Sequence, residues 1–76
     1  MANQEHLDLL KKGVEVWNQW REEHPEIEPD LSGANLEGAR LSGAHLQGAR
    51  LTRARLEKAN LKDTHLEQAN LWSAHH

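Results

Sequence analysis

Residues 30–74 read DLSGANLEGARLSGAHLQGARLTRARLEKANLKDTHLEQANLWSA, and this stretch decides the fold. Leucine occupies every fifth position without a gap, at Leu31, Leu36, Leu41, Leu46, Leu51, Leu56, Leu61, Leu66 and Leu71. Alanine stands two residues before most of these leucines, and from position 34 onward only Thr64 replaces it. An unbroken internal repeat of this kind indicates a repeat architecture.

A leucine period of five residues fits neither an α-helix nor a β-strand. On an α-helix, five residues advance by about 500°, so successive leucines would lie about 140° apart and form no stripe. On a strand, side chains alternate between faces, so leucines five apart would point to opposite sides. A chain that turns a corner every five residues directs each alanine and leucine pair inward. Stacked coils of such a chain would bury the nine leucines as the core.

The run ANLEGARLSGAHLQGARL, residues 34–51, resembles the pentapeptide-repeat family, whose motif is A(D/N)LXX. The resemblance implies a right-handed quadrilateral β-helix, a solenoid with four repeats, about 20 residues, in each coil. The expected fold class is therefore mainly β with one N-terminal α-helix and slightly over two coils. Residues 20 apart would stack, so that Leu31, Leu51 and Leu71 share a column.

The corners of the two coils differ in composition. Every corner of the first coil carries glycine, at Gly33, Gly38, Gly43 and Gly48, whereas the second coil has Arg53, Lys58, Asp63 and Gln68. Because glycine tolerates positive φ, we expect type II turns in the first coil and another turn type in the second. The alternative is one turn type throughout, with strained non-glycine residues in the second coil.

Residues 4–23 have helical spacing and contain no proline. Asn3 is the expected N-cap, and Pro25 should end the helix. The apolar stripe predicts a cap over the open end of the first coil, formed by Leu10, Val14, Trp17 and Trp20. The two tryptophans alternatively form an exposed binding hot spot. The predicted domains are residues 1–29, a capping helix and linker, and residues 30–76, the repeats. Residues 13–36 resemble the N-terminal extensions of cyanobacterial-type members.

Composition narrows the class of protein. The chain has 76 residues, no cysteine and a net charge of -3. Residues 1–29 carry a net charge of -4 and residues 30–76 a net charge of +1. Neither part has the clearly basic charge that is typical of a nucleic-acid-binding domain. No signal peptide or apolar span of membrane length is present, so we predict a cytoplasmic protein without nucleic-acid or membrane partners.

No arrangement of side chains predicts catalysis, a cofactor or a metal. The serines follow the repeat and have no fixed base. His45 and His65 should stack 20 residues apart, but two imidazoles are too few for a zinc site. His75 and His76 are either native or part of a tag. Arg40, Arg50, Arg53 and Arg55 form a modest basic cluster, which is either a site for an anionic partner or, as we favour, a solvated face.

These observations predict a non-enzymatic interaction or scaffolding module with an unknown protein partner. The last coil has no predicted cap, so we expect a homodimer through its open layer, with candidate residues Leu61, Leu66, Leu71 and Trp72. For Trp72, simple shielding of the edge is the alternative. A truncated longer repeat protein would also leave that layer open. Some family members protect DNA gyrase as acidic DNA mimics, which is the alternative function, although residues 30–76 are not acidic.

Overall fold

The computed structural model describes all 76 residues and contains two helices, α1 (Gln4–Lys11) and α2 (Val14–Glu23). Asn3 caps α1 as expected, since its side-chain oxygen accepts the backbone N–H groups of Glu5 and His6. Helix α2 ends at Glu23, two residues before Pro25. Neither helix is long and apolar enough to cross a membrane.

The prediction of a single helix over residues 4–23 is wrong because the chain breaks at Gly13. This residue has φ 124°, a conformation that interrupts the helix and that residues other than glycine rarely adopt. Gly13 is the N-cap of α2 and provides no side-chain hydrogen bond. A Cβ added there would meet nothing within 4 Å, so the glycine serves the backbone conformation and not close packing.

From residue 30 onward the chain forms stacked coils, each a circuit of 20 residues with four sides of five. The register is set by isolated parallel bridges between residues 20 apart, beginning with Asp30 to Arg50 and ending with Arg55 to His75. We call residues 30–49 the first coil and residues 50–69 the second coil; residues 70–76 begin a third. The expected stacking of residues 20 apart is confirmed by this pairing.

The expected fold class, a mainly β right-handed quadrilateral β-helix with one helix, is wrong. The structure has two helices and no β-strand, and its parallel pairing is confined to isolated bridges. The physical reason is the corner after each short side. One residue of every five bridges to the adjacent coil, at positions 30, 35, 40 and onward, so no run of consecutive paired residues forms a ladder.

Every corner is closed in the same way, so the predicted change of turn type between coils is wrong. Each leucine carbonyl accepts the N–H of the residue three positions later, as in Leu31 to Ala34 and Leu51 to Ala54, both 3.0 Å. The third residue of the turn has positive φ in both coils, 71° at Gly33 and 62° at Arg53. Stacking therefore imposes the left-handed conformation even on side chains that disfavour it.

The core lies inside the first coil and the start of the second. The buried leucines of the coils are Leu31, Leu36, Leu41, Leu46, Leu51 and Leu56. Each contributes roughly 1.5–3 kcal/mol by its burial, before the cost of ordering the chain. Small inward alanines, such as Ala44, Ala49 and Ala54, are fully buried between the sides. Leu10 and Trp17 of the two helices belong to the same apolar cluster.

Candidate functional site

The helical pair, α1 and α2, lies over the upper side of the first coil, which no earlier coil covers. Trp17 is fully buried, and its Nε1–H donates to the backbone carbonyl of His45 at 2.9 Å. The equivalent carbonyl one coil later, that of His65, accepts the N–H of Leu46. The indole of Trp17 therefore takes the place of a backbone donor from a preceding coil.

Asn18 repeats this substitution beside Trp17. Its side-chain oxygen accepts the N–H of His45 at 2.8 Å, and its amide nitrogen donates to the carbonyl of Gly43 at 3.1 Å. In the second coil, the corresponding N–H of His65 donates to the carbonyl of Ala44 instead. One side chain thus satisfies both a donor and an acceptor of the coil edge, as buried backbone groups require.

The start of the first coil is held by α1. The N–H of Asp30 donates to Nδ1 of His6 at 3.0 Å, and its carbonyl accepts the N–H of Asn3 at 2.9 Å. One coil later, the N–H of Arg50 donates to the carbonyl of Pro29. The helical pair therefore replaces coil-to-coil hydrogen bonds on the two sides that begin at residues 30 and 45.

The four predicted cap residues lie in this contact, but they are not equivalent. Leu10 and Trp17 are buried, whereas Val14 and Trp20 are partly buried against the core. The ring of Trp20 packs between those of His6 and Trp17, with centroid separations of 5.0 and 5.1 Å. The break at Gly13 separates the stripe into two helices, which carry these residues on different axes.

The opposite end of the stack presents an open layer, defined here by Leu61, Leu66 and Leu71. Leu61 and Leu66 are partly buried, and Leu71 is 37% exposed. In the preceding layer, leucine N–H groups donate to a carbonyl 19 residues later, as Leu46 does to His65 at 2.9 Å. The N–H groups of the open layer have no acceptor. The layer combines apolar surface with unpaired donors.

Trp72, the fourth predicted self-association residue, lies apart from the open layer. Its ring is 65% exposed and lies on the flank of the stack, under the guanidinium of Arg53, whose Cζ is 5.7 Å from the ring centroid. This distance is typical of a cation–π contact. The structure therefore brings Trp72 together with the second coil's corner residue.

Asp30 pairs with Arg50 through a backbone bridge, but their side chains form no ion pair. Its carboxylate accepts the Ser32 hydroxyl at 2.7 Å and the Ser32 N–H at 3.1 Å. The Ser32 hydroxyl hydrogen bond is the main cause that lowers the pKa of Asp30 below its usual range. Arg50 adds a weaker, longer-range attraction.

His45 and His65 stack as predicted, with ring centroids 5.2 Å apart in an edge-to-face arrangement. Nδ1 of His65 lies 3.5 Å from a carboxylate oxygen of Glu67. The Glu67 backbone N–H, followed by the His65 side chain, lowers the pKa of Glu67. No group of three or more histidine, aspartate or glutamate side chains is placed to hold a metal ion.

With this geometry established, comparison with known families matches residues 30–68 to pentapeptide repeats, in eight copies. The match covers more than half of the chain, and the protein belongs to the pentapeptide-repeat family. No curated protein matches the chain. The repeats are consistent with a repeat-protein interaction module. The narrower resemblance to cyanobacterial-type members stays a prediction.

Two features escaped sequence reasoning. Asn18 lies between Trp17 and Gln19 in a polar stretch, and nothing in its spacing marks it as the residue that contacts the coil edge. His6 was likewise not singled out by its position in the sequence, although its ring nitrogen accepts the N–H of Asp30 at the start of the repeats. Only the three-dimensional packing of the helical pair on the first coil reveals these roles.

Proposed function

We propose that this protein is a non-enzymatic, cytoplasmic interaction module that forms a homodimer through the open layer of its last coil. The helical pair closes one end of the stack, and a second copy closes the other. The observation that carries the proposal is the contrast between the two ends. Backbone groups at the upper end meet Trp17, Asn18 and His6, whereas the donors of the open layer meet nothing.

Two physical terms favour association at this layer. Covering Leu71 and the partly buried leucines beside it removes apolar surface from water, worth about 25 cal/mol for each Å². Pairing free backbone groups across the interface resembles the addition of a strand to an exposed edge, a common mode of protein recognition. A two-fold axis through the layer lets one surface serve both copies and closes the assembly at two.

The alternative of an acidic DNA mimic has less support. Aspartate and glutamate side chains number five in residues 30–76, against six lysines and arginines. The stack therefore offers no acidic rod that imitates the phosphate backbone.

The experiment is the solution mass by light scattering across a concentration series, for the native chain and two variants. Leu71→Glu places a charge in the open layer at a side chain already 37% exposed, so the fold should tolerate it. Ser73→Glu is the matched control, since it adds the same charge at an exposed corner of the same turn.

We expect the native chain and Ser73→Glu to reach twice the 8.7 kDa monomer mass, and Leu71→Glu to stay at the monomer mass. Circular dichroism of Leu71→Glu should match the native spectrum. A native chain that remains monomeric at every concentration would contradict the proposal. So would a folded Leu71→Glu variant that still dimerises.

A further inference from the structure

A groove runs along one flank of the stack, between the first turn of α1 and a column of outward side chains. The column consists of Ser32, Thr52 and Trp72, which occupy the same position in successive coils. The groove encloses about 600 Å³. Coils that pair as β structure lie about 4.8 Å apart, so the column extends over roughly 10 Å.

The charge in this groove is opposite to that of the chain. Arg50 and Arg53 line it, and no aspartate or glutamate does, although the chain carries a net charge of -3. The structure contains two ion pairs, His24–Glu26 and His65–Glu67. Neither Arg50 nor Arg53 therefore has a carboxylate within ion-pair distance. Asp30 attracts Arg50 only at longer range, so both guanidinium groups are available to an anion from outside.

The groove also contains hydrogen-bond donors that suit a carboxylate ligand. Arg53 is held over the ring of Trp72, which orders its guanidinium before any ligand arrives. The hydroxyl of Thr52, between the two arginines in sequence, makes no hydrogen bond. Guanidinium groups bind carboxylates through paired N–H donors, which gives geometric selectivity as well as attraction.

We infer that this groove binds a short acidic segment of a partner protein in an extended conformation. An extended chain rises about 3.3 Å for each residue, so three or four residues fill the length of the column. Side chains at alternate positions share a face, which lets two carboxylates in the pattern Glu-x-Glu reach the two arginines. The residue between them turns away from the arginines.

A nucleic acid fits these observations less well. Its binding depends on neutralising many phosphates, and two arginines on a chain of net charge -3 offer little of that attraction. The inference does not depend on self-association, because Arg50 and Arg53 lie outside the open layer.

The test is a titration followed by the three indole N–H resonances in a ¹H–¹⁵N spectrum. The probe is the peptide acetyl-Gly-Glu-Val-Glu-Gly-amide, and its control replaces both glutamates with glutamine. We expect the glutamate peptide to shift the resonance of exposed Trp72 in a saturable way and to leave buried Trp17 unmoved. Arg50→Gln or Arg53→Gln should weaken binding about tenfold, as expected for loss of a charge-assisted contact.

Arg40→Gln is the matched control, because Arg40 lies on another side of the first coil, and it should leave the affinity unchanged. Binding should also persist in Leu71→Glu. The inference is overturned if the glutamine peptide binds equally well, or if acetate alone reproduces the shift at the same concentration. A single-stranded oligothymidine that shifts Trp72 at lower concentration than the peptide would assign the groove to nucleic acid instead.

Discussion

The indole N–H of the buried Trp17 donates a hydrogen bond of 2.9 Å to the backbone carbonyl of His45. In the second coil the same carbonyl position is satisfied by a backbone N–H, from Leu46 to His65. The helix thus supplies from a side chain what the repeats supply from the backbone. This exchange explains how two short helices hold the upper end of the stack.

Trp17→Phe should destabilise the protein by about 1–3 kcal/mol, because it leaves the part-buried carbonyl of His45 unpaired and removes part of a buried ring. The measurement is urea unfolding followed by circular dichroism. Trp72→Phe is the control, and a change within about 0.5 kcal/mol is expected for that exposed ring. Equal effects of the two substitutions would show that the hydrogen bond to His45 contributes nothing.

Gly38 and Lys58 occupy the same corner in successive coils, with φ of 70° and 62°. A left-handed residue other than glycine costs roughly 1–2 kcal/mol, so Gly38→Ala should lower the free energy of unfolding by about 1 kcal/mol. A Cβ at Gly38 meets nothing within 4 Å, so any loss is conformational and not steric.

The converse substitution, Lys58→Gly, should raise the free energy of unfolding by up to about 1 kcal/mol, because it relieves a left-handed conformation. The gain is reduced because glycine has more conformational freedom than lysine in the unfolded chain. Thermal unfolding measures the change in stability caused by Gly38→Ala and by Lys58→Gly. A loss of stability in both variants would show that the two corners are not equivalent.

Leu46 and Leu71 should respond very differently to truncation to alanine. Leu46 is fully buried, so Leu46→Ala should cost about 2–5 kcal/mol through lost burial and a cavity. Leu71 is 37% exposed, and Leu71→Ala should cost much less in the monomer. Denaturant unfolding at a concentration where the chain is monomeric separates the two. Similar losses would mean that the open layer is as well packed as the first coil.

The lowered pKa of Asp30 predicts that the folded state loses stability in acid. Its pKa is lower in the folded state than in the unfolded state, chiefly because it accepts the Ser32 hydroxyl. Its contribution is therefore present above the unfolded pKa and is lost as pH falls through the folded pKa. Ser32→Ala should raise the pKa of Asp30, measured by carboxyl ¹³C titration, and flatten the loss of stability in acid. A pKa unchanged by Ser32→Ala would contradict this assignment.

The repeats were far more predictable than the helices. Leucine at every fifth position forces a corner after each side, and the family resemblance supplied the 20-residue circuit that the bridges then matched. The β classification failed because one residue of each side bridges, which no count of apolar positions reveals. The corner prediction failed because stacking overrides the intrinsic preference of Arg53 and Lys58.

The helices were harder to predict because their geometry depends on one dihedral angle. Gly13 was compatible with a continuous helix at modest cost, and only its φ of 124° divides the segment. The candidate self-association residues were likewise separated by packing, since Trp72 turns toward Arg53 while Leu71 stays in the open layer. Neighbours in sequence point in different directions around a corner.

The most direct test of the proposed dimer is residue-resolved amide hydrogen exchange as a function of protein concentration. The N–H of Leu66 has no acceptor in the single chain, whereas that of Leu46 donates to His65. We predict that protection of Leu66 rises with concentration, while Leu46 is protected throughout. A Leu66 amide that exchanges freely at every concentration would contradict pairing across the open layer.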